Sequence, residues 1–256
     1  MDDTDPRREV WDSYWKTENP EYASHNILVD HVLKHIYSKS AAILEIGAGS
    51  GADAVEIAAA GYTVVAMDIS KESLKLVKLR AKEKQIELIP LIGDALNLPF
   101  KENSLDFIYH QGVLEHFKDP LPFLSQQKRA LKKGGRLLVD VPQAFTIYTL
   151  KKRWAMARNK WFAGWETEYS PRKLRRTLVK ASLTIISFYG RDYDFIPFIW
   201  LSNIENLGKS RFGRPVVPQF ISRPIAKIWR IFEGFELSNN IKHCIGAVAA
   251  PSEDRN

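Results

Sequence analysis

Three glycines alternate with small residues behind a carboxylate in the stretch EIGAGSG, residues 45–51. The stretch follows the apolar run of residues 41–44 and leads into ADAVEIAAAG, which is typical of a strand that turns into a helix. Glycine tolerates positive φ and places no Cβ in the way of a ligand. Gly47, Gly49 and Gly51 therefore predict a nucleotide-like cofactor that lies close to the main chain at this turn.

The glycines alone do not identify that cofactor. Residues 47–52 also fit the G-x-G-x-x-A pattern of dinucleotide-binding folds. Asp68, at the end of the next apolar run, could hold the ribose of either kind of nucleotide. At this point an NAD(P)-binding oxidoreductase and an enzyme that uses another nucleotide both remain open.

Short aliphatic runs alternate with helical patterns along the first half of the chain. The runs cover residues 41–47, 63–69, 88–94, 105–111 and 135–142, and they are typical of strands buried on both faces of a parallel sheet. Helical patterns cover residues 52–60, 71–85 and 119–131, the last beginning with Asp119 as N-cap and Pro120 at N1. The alternation predicts a doubly wound α/β sheet, whose ligands bind beyond the carboxyl ends of its strands.

Three features around those strand ends narrow the choice of cofactor. Glu45 lies two residues before the first glycine, and GDALNLPF places Asp94 at the end of the third strand. The segment LDFIYHQGVLEHF covers the fourth strand and its exit, and LKKGGRLLVDVP leads into the fifth. In this order and spacing, residues 41–142 resemble the class I S-adenosylmethionine-dependent methyltransferases, in particular the group that includes the ubiquinone and sterol methyltransferases.

The resemblance implies a Rossmann-like seven-stranded sheet with its last strand antiparallel, helical insertions, and S-adenosyl-L-methionine as cofactor. It implies that Asp68 accepts both ribose hydroxyls, a charge-assisted bidentate pair. Ile69 and Leu96 would flank the adenine, while Asp94 would accept from its exocyclic amine and the backbone N–H of Ala95 would face the ring. The alternative for Asp68 and Asp94 is that they are strand-end turn carboxylates.

The resemblance also assigns the methionine end of the cofactor. Gly47, Gly49 and Gly51 would let the chain lie against the methionine and ribose. Glu45 and the backbone carbonyl of Gln111 would face the ammonium group. No metal site is expected.

His116, which follows the fourth strand, is the candidate catalytic residue. A hydroxyl or amine acceptor benefits from a base, and histidine titrates in the required range. Methyl transfer otherwise needs mainly alignment and exclusion of water, so a packing or cofactor-side role for His116 remains open. Weaker candidates are Glu115, His110 and Asp140.

The 256 residues are expected to form one structural domain with three parts. Residues 1–40 are expected to form a helical lid that carries Trp11, Tyr14, Trp15 and Tyr22, with packing on the core favoured for Trp11. Residues 41–142 form the cofactor-binding core, and residues 143–256 form the substrate-side half. That half has helical insertions at about 143–182 and 195–238, a helix beginning at Ser170 and Pro171, and strands at 183–190 and 242–250.

The charge is concentrated in residues 143–233, which carry 17 Lys and Arg against 6 Asp and Glu, and 17 of the 29 aromatic residues. Such a segment suits an amphipathic acceptor and peripheral contact with an anionic membrane surface, with Lys151, Lys152 and Arg153 facing the headgroups. A solvated basic face over a small-molecule pocket is the alternative. RNA ranks third because no RNA-binding module is appended, and DNA is not expected.

Other observations exclude further classes. A single cysteine, Cys244, cannot form an internal disulfide or a cysteine-based zinc cluster. The sequence has no Asn-Pro-Pro-Tyr-like stretch after the fourth strand, a feature in which base and glutamine N-methyltransferases resemble one another. It also has no Pro-Cys nucleophile, which excludes cytosine C5 methylation through a covalent adduct. The acidic start is not typical of a signal peptide, so we expect a cytoplasmic enzyme with contact at the inner membrane face. A non-catalytic module that only binds the cofactor is the remaining alternative, and the oligomeric state is left open.

Overall fold

The computed structural model describes residues 5–17, 25–163, 165–193 and 242–252. Within these ranges a single sheet has seven strands in the order β3-β2-β1-β4-β5-β7-β6. The strands are β1 (Ala42–Ile46), β2 (Thr63–Asp68), β3 (Ile89–Ile92), β4 (Leu105–Gln111), β5 (Leu131–Pro142), β6 (Leu183–Tyr193) and β7 (Lys242–Pro251). β1 to β5 are parallel, and β7 runs antiparallel to both β5 and β6. The expected fold class is confirmed.

Seven α-helices lie in the same described ranges. They are α1 (Pro6–Thr17), α2 (Asn26–Lys34), α3 (Ala52–Ala59), α4 (Lys71–Lys84), α5 (Leu121–Ala130), α6 (Ile147–Ala157) and α7 (Pro171–Lys180). A 3₁₀ turn (Leu114–His116) follows β4. None of these helices is long and apolar enough to cross a membrane.

Local capping explains where several helices begin. The Ser70 hydroxyl accepts from the backbone N–H of Ser73 at 3.1 Å at the start of α4, and Ser170 does the same for Lys173 at 3.2 Å at the start of α7. α5 begins one residue later than expected, with Pro120 as N-cap. The Asp119 carboxylate still accepts from the N–H of Leu121.

β5 begins at Leu131, earlier than the strand expected at residues 135–142. Its first residues, LKKGG, have the composition of a turn, but Leu131 pairs in register with Leu105 of β4. The register then shifts before Phe107 pairs with Arg136. A bulge in the pairing therefore accommodates the polar, glycine-containing segment.

Helices cover both faces of the sheet because successive strand residues point to opposite sides. In β1, Ile43 joins a buried cluster with residues of α2, α3 and α4, while Leu44 joins one with residues of α5 and α7. α2 belongs to the first of these layers, since Leu28 and Val32 are fully buried there.

The chain leaves β1 toward β2 and β3 on one side, and returns to β4 and β5 on the other. β1 and β4 are therefore the neighbours at which the strand order reverses. A crevice opens beyond the carboxyl ends of two such strands, which is where ligands of doubly wound sheets bind. The insertion expected at residues 195–238 and the side chain of Tyr22 lie outside the described residues.

Candidate active site

One cavity of about 780 Å³ opens at the reversal of strand order, within the size range of ligand pockets. It has two sides. The glycine-rich side comes from the strand ends and their loops: Glu45, Gly47, Gly49, Asp68, Ile69, Asp94, Ala95 and Gln111. The aromatic side comes from α1 and from the chain after β5: Trp11, Tyr14, Tyr148, Trp161, Phe162 and Trp165.

The loop after β1 has the conformation that its glycines permit. Gly47, Gly49 and Gly51 all have positive φ, at 70°, 54° and 73°. A Cβ on Gly49 would lie 2.7 Å from the ring of Trp15, so only glycine lets α1 approach this closely. Gly47 and Gly49 line the cavity, whereas Gly51 lies behind them as the N-cap of α3.

Asp68 is buried at the end of β2 and is held by the backbone on both sides. Its Oδ2 accepts from the N–H of Gly49 at 2.9 Å, and its Oδ1 accepts from the N–H of Ser70 at 2.8 Å. Burial raises the pKa of this carboxyl, and those backbone hydrogen bonds oppose the rise. The carboxylate is thus fixed in orientation at the cavity wall, with lone pairs remaining for a ligand.

Asp94 has an unexpected partner on α1. The Arg7 guanidinium donates from Nη2 to Asp94 Oδ2 at 2.8 Å and from Nη1 to Oδ1 at 3.3 Å. The N–H of Leu96 also donates to Oδ1 at 2.9 Å. The carboxylates of Asp5 and Asp94, in that order, raise the pKa of Arg7. The first turn of α1 is thereby tied to the end of β3.

Glu45 is buried at the cavity, with 5% of its surface exposed. Its Oε2 has no hydrogen-bond partner among the described residues. Burial, followed by the nearby Asp53, raises the pKa of Glu45. His25 donates its backbone N–H to Asp53 at 2.6 Å and places its ring on the same carboxylate. His25 and Asp53 both line the cavity.

The aromatic side is a continuous series of ring contacts. Tyr14 stacks on Phe162 with centroids 4.4 Å apart, and Phe162 contacts Trp161 at 5.3 Å. Trp161 contacts Tyr148 at 6.0 Å. Trp11, for which packing on the core is the favoured expectation, lines the cavity and packs edge-on against the His116 ring at 4.9 Å.

Charged groups accompany His116 on the 3₁₀ turn. Glu166 places Oε1 4.0 Å from His116 Nδ1, and its Oε2 accepts from Lys152 Nζ at 2.7 Å. Burial lowers the pKa of His116, although the charge of Glu166 opposes the fall. The neighbouring Glu115 is buried at the cavity, where burial raises its pKa to about 8. At neutral pH the His116 ring is therefore neutral and Glu115 is mostly protonated.

Two weaker candidates lie away from the cavity lining. His110 is buried against Phe123, and burial lowers its pKa to about 3. Asp140 is fully buried and accepts from Arg191 Nη2 at 2.9 Å and from the Tyr189 hydroxyl at 3.0 Å. Asp140 therefore links β5 to β6. Both His110 and Asp140 make their contacts inside the fold and not at the cavity.

Sequence reasoning missed several cavity residues. Arg7, His25 and Glu166 lack a motif and reach the cavity only because distant segments fold together, whereas Asp53 directly follows the glycine turn. The aromatic content of the stretch after β5 is the signal for Tyr148, Trp161, Phe162 and Trp165.

Residues 44–139 match the sequence profile of the family described as "Methyltransferase domain". The chain contains a class I S-adenosylmethionine-dependent methyltransferase domain. Its cofactor is S-adenosyl-L-methionine, and the expected family is confirmed. The match covers the glycine-rich side and His116. It includes none of the residues that define the aromatic side.

Two relatives with sequence similarity to this chain match it over different lengths. The chain is 25% identical over 212 residues to the ubiquinone biosynthesis O-methyltransferase of Dinoroseobacter shibae, covering 75% of this chain and 84% of that protein. It is 30% identical over 118 residues to the biotin biosynthesis bifunctional protein BioHC of Cellvibrio japonicus, covering 46% of this chain and 23% of that protein. The chain thus spans less than a quarter of BioHC and most of the D. shibae protein.

A solved structure shares the fold of the methyltransferase over nearly its full length. Geranyl diphosphate C-methyltransferase from Streptomyces coelicolor A3(2), in complex with Mg²⁺, geranyl diphosphate and S-adenosyl-L-homocysteine, aligns with a TM-score of 0.65. The identity is 15%, and the alignment covers 97% of this chain and 99% of that one. At this identity the likeness describes the fold alone.

Proposed function

We propose that this methyltransferase transfers a methyl group to a hydroxyl oxygen, or alternatively to nitrogen or carbon, of a small-molecule, lipid or lipid-linked acceptor bound on the aromatic side. The observation that carries the proposal is the single cavity in which the aromatic side continues into the glycine-rich side, with His116 among the lining residues. One cavity for two ligands aligns the reacting groups and excludes water, which are the main requirements of methyl transfer.

The glycine-rich side fits S-adenosylmethionine. The buried Oε2 of Glu45 is an acceptor in need of a donor, which suits the ammonium group. Asp68, held by two backbone N–H groups, suits the ribose diol. Gly47 and Gly49 leave the main chain open to the cofactor, and the carbonyl of Gln111 is assigned to the ammonium as well.

The adenine end involves α1 as well as the strands. Ile69, Asp94 and Ala95 line the cavity as expected for adenine contacts. Asp94 already binds Arg7 and the N–H of Leu96, so the exocyclic amine would share or displace the guanidinium. Arg7 is therefore part of the adenine wall in this proposal.

His116 is the general base of the proposed reaction. Bound S-adenosylmethionine supplies an electrophilic methyl group on a sulfonium, so the protein needs only to align the acceptor and take its proton. The lowered pKa of His116 keeps the ring neutral and able to accept a proton at neutral pH. Trp11, in edge contact with the ring, shields it from solvent.

The aromatic side selects an apolar, ring-containing or isoprenoid-like acceptor. Trp11, Tyr14, Tyr148, Trp161 and Phe162 offer large apolar faces that favour such groups over strongly hydrated ones. The D. shibae relative, named for ubiquinone biosynthesis, supports a lipid-like acceptor with an oxygen to methylate.

A membrane-facing surface beside the cavity would give a lipid-linked acceptor access. Phe145, Leu150 and Trp154 are 69%, 62% and 60% exposed on and just before α6, which also exposes Lys151. Exposed aromatic and aliphatic side chains among basic residues suit the headgroup region of an anionic bilayer. We propose this α6 surface, defined by these four residues, as the membrane contact.

Lys151, Lys152 and Arg153 do not form one exposed basic surface on α6, contrary to the expectation that all three face the headgroups. Lys152 is 2% exposed in its ion pair with Glu166, and Arg153 donates to Glu168. Only Lys151 of the three belongs to the α6 surface. Reversing the charge of Lys152 would leave Glu166 buried beside a second negative charge and damage the fold.

Incubation with labelled cofactor tests the proposed function. The protein with methyl-labelled S-adenosylmethionine is offered a lipid extract, an aqueous metabolite fraction and total RNA, and the products are identified by mass. We expect label in the lipid or metabolite fraction, lost in His116→Ala. Label confined to RNA would contradict the proposed acceptor class, and absence of transfer to all three fractions would contradict the proposed activity.

A further inference from the structure

A buried ion pair borders the cavity in the segment that follows the methyltransferase-domain match. Lys152 on α6 donates to Glu166 Oε2 at 2.7 Å, and their side chains are 2% and 4% exposed. The Trp161 indole N–H donates to Glu166 Oε1 at 2.9 Å. A buried pair of this kind contributes little net stability because both charges lose their hydration. Lys152 and Trp161 instead hold the Glu166 carboxylate in one orientation.

That carboxylate faces the proposed base. Glu166 Oε1 lies 4.0 Å from His116 Nδ1, and the His116 side chain is 19% exposed. The groups that act on the ring are Glu166 from the loop after α6, Lys152 from α6 and the carbonyl of Gly112, while α1 contributes the uncharged Trp11. Among the described residues, Glu166 is therefore the one carboxylate that acts on the ring.

We propose that Glu166 is a positioning residue for His116, fixed in place by Lys152 and Trp161. The inference rests on the proposed function, since it assigns a partner to the base. A carboxylate beside Nδ1 favours the tautomer with its proton on Nδ1, which leaves the lone pair on Nε2 for the acceptor. Lys152 offsets part of the negative charge that Glu166 places beside the ring.

With a hydroxyl acceptor, methyl transfer releases one proton, which His116 takes up. The acceptor oxygen forms a bond to the methyl carbon, and the electrons of the methyl–sulfur bond return to sulfur. The proton of the hydroxyl passes to Nε2 of His116. The resulting imidazolium lies beside the negative charge of Glu166, which stabilises it.

Two substitutions of the pair have opposite expected effects on the ring. Glu166→Gln keeps the size of the side chain and removes its charge, which leaves Lys152 to act on His116 alone. The pKa of His116 should fall. Lys152→Met removes the cation and keeps the carboxylate, so the pKa of His116 should rise. A loss of packing alone would not produce opposite signs.

The test follows the His116 ring by NMR titration in wild type, Glu166→Gln and Lys152→Met, with the resonance assigned by its absence in His116→Gln. For Glu166→Gln we also expect kcat to fall by roughly 10- to 100-fold, its acidic limb to move to lower pH, and the Kd for S-adenosylmethionine to change by less than about twofold.

Glu168→Gln is the matched control, because Glu168 lies two residues further on and binds Arg153 at the surface. It should leave the His116 titration unchanged. A His116 pKa unmoved by Glu166→Gln, or moved in the same direction by both substitutions, would overturn the inference even if kcat fell. The titration needs no acceptor, so failure of the proposed methyl transfer would appear separately as absent turnover in wild type.

Discussion

The glycine-rich side and the aromatic side of the cavity come from different parts of the chain. The glycine-rich side uses residues 45–49, 68–69, 93–95 and 111–113, all within the family match. The aromatic side joins residues of α1 to residues between Tyr148 and Trp165, and all of it lies outside the match. One side therefore lies within the family match, and the other lies outside it.

The two sides also differ in what forms their surfaces. The glycine-rich side exposes main chain at Gly47 and Gly49, which have no Cβ, beside carboxylates such as Asp68, which accepts from the N–H of Gly49. Side chains dominate the aromatic side, where Tyr14 stacks on Phe162 and Trp11 meets His116. Surfaces made of side chains can change with the acceptor while the fold is kept, which is how one fold acts on many substrates.

Removing the proposed base should have the largest effect and should separate the two sides. His116→Ala is expected to reduce kcat by roughly 10²- to 10⁴-fold while the Kd for S-adenosylmethionine stays near wild type, because the ring acts on the acceptor alone. Steady-state kinetics and calorimetry measure the two quantities. An unchanged kcat from pH 6 to pH 9 would remove His116 from the chemistry.

Asp68→Ala should have the next largest effect, on the opposite side. We expect the binding free energy of S-adenosylmethionine to become less favourable by about 2–3 kcal/mol, because a buried diol loses a charged acceptor. Calorimetry with S-adenosylhomocysteine measures the loss in the absence of turnover. Glu102→Ala, an exposed carboxylate, is the control and should bind like wild type. Tight binding by Asp68→Ala would contradict the assigned ribose contact.

The sequence predicted the strands and the glycine turn because their signals are local. Aliphatic runs fix each parallel strand, and the spacing of Gly47, Gly49 and Gly51 restricts the backbone within five residues. Order and spacing then brought Asp68 and Asp94 to the same edge of the sheet. Both line the cavity, and their ligand contacts remain predictions.

The aromatic side could not be derived in this way because its contacts join distant residues. Tyr14 and Phe162 are far apart in sequence and come into contact only in the folded chain. Lys152 belongs to a KKR triplet that is typical of an exposed basic surface, yet its side chain is buried in an ion pair with Glu166. Tertiary pairing decides the exposure of such residues.

The buried carboxyl of Glu115, beside His116, should make stability depend on pH. Burial raises its folded pKa to about 8, above the ordinary value of 4.5. Protonated Glu115 is thus favoured by folding, and that stability is complete below about pH 4.5 and is lost as pH rises through about 8. Between pH 5 and pH 9, the free energy of unfolding of Glu115→Gln should therefore rise relative to that of wild type, by an amount on the order of 2 kcal/mol.

Urea unfolding of both proteins at pH 5, 7 and 9 measures this difference. Glu102→Gln is the control, since an exposed carboxylate should give a curve parallel to wild type. If Glu115→Gln also ran parallel to wild type, Glu115 would be ionised in the folded protein, and the junction between the two sides would be more hydrated than its burial indicates.

The smallest expected effect concerns the α6 surface, outside the cavity. Lys151→Ala should weaken binding to vesicles of anionic phospholipid by about fivefold, since each basic residue at such a surface contributes about 1 kcal/mol. Vesicle sedimentation measures the bound fraction. Binding should fall as salt is raised, because exposed charges are screened within about 10 Å at 0.1 M.

Lys78→Ala, which removes an exposed lysine on α4, separates a local contact from general attraction by the net charge of +7. A contact through α6 predicts that only Lys151→Ala loses binding, and that Trp154→Ala also loses it on neutral vesicles through its apolar face. Equal losses for Lys78→Ala and Lys151→Ala would mean that the bilayer attracts the whole molecule. The aromatic side would then receive its acceptor from solution, and the basic residues of α6 would have no part in choosing it.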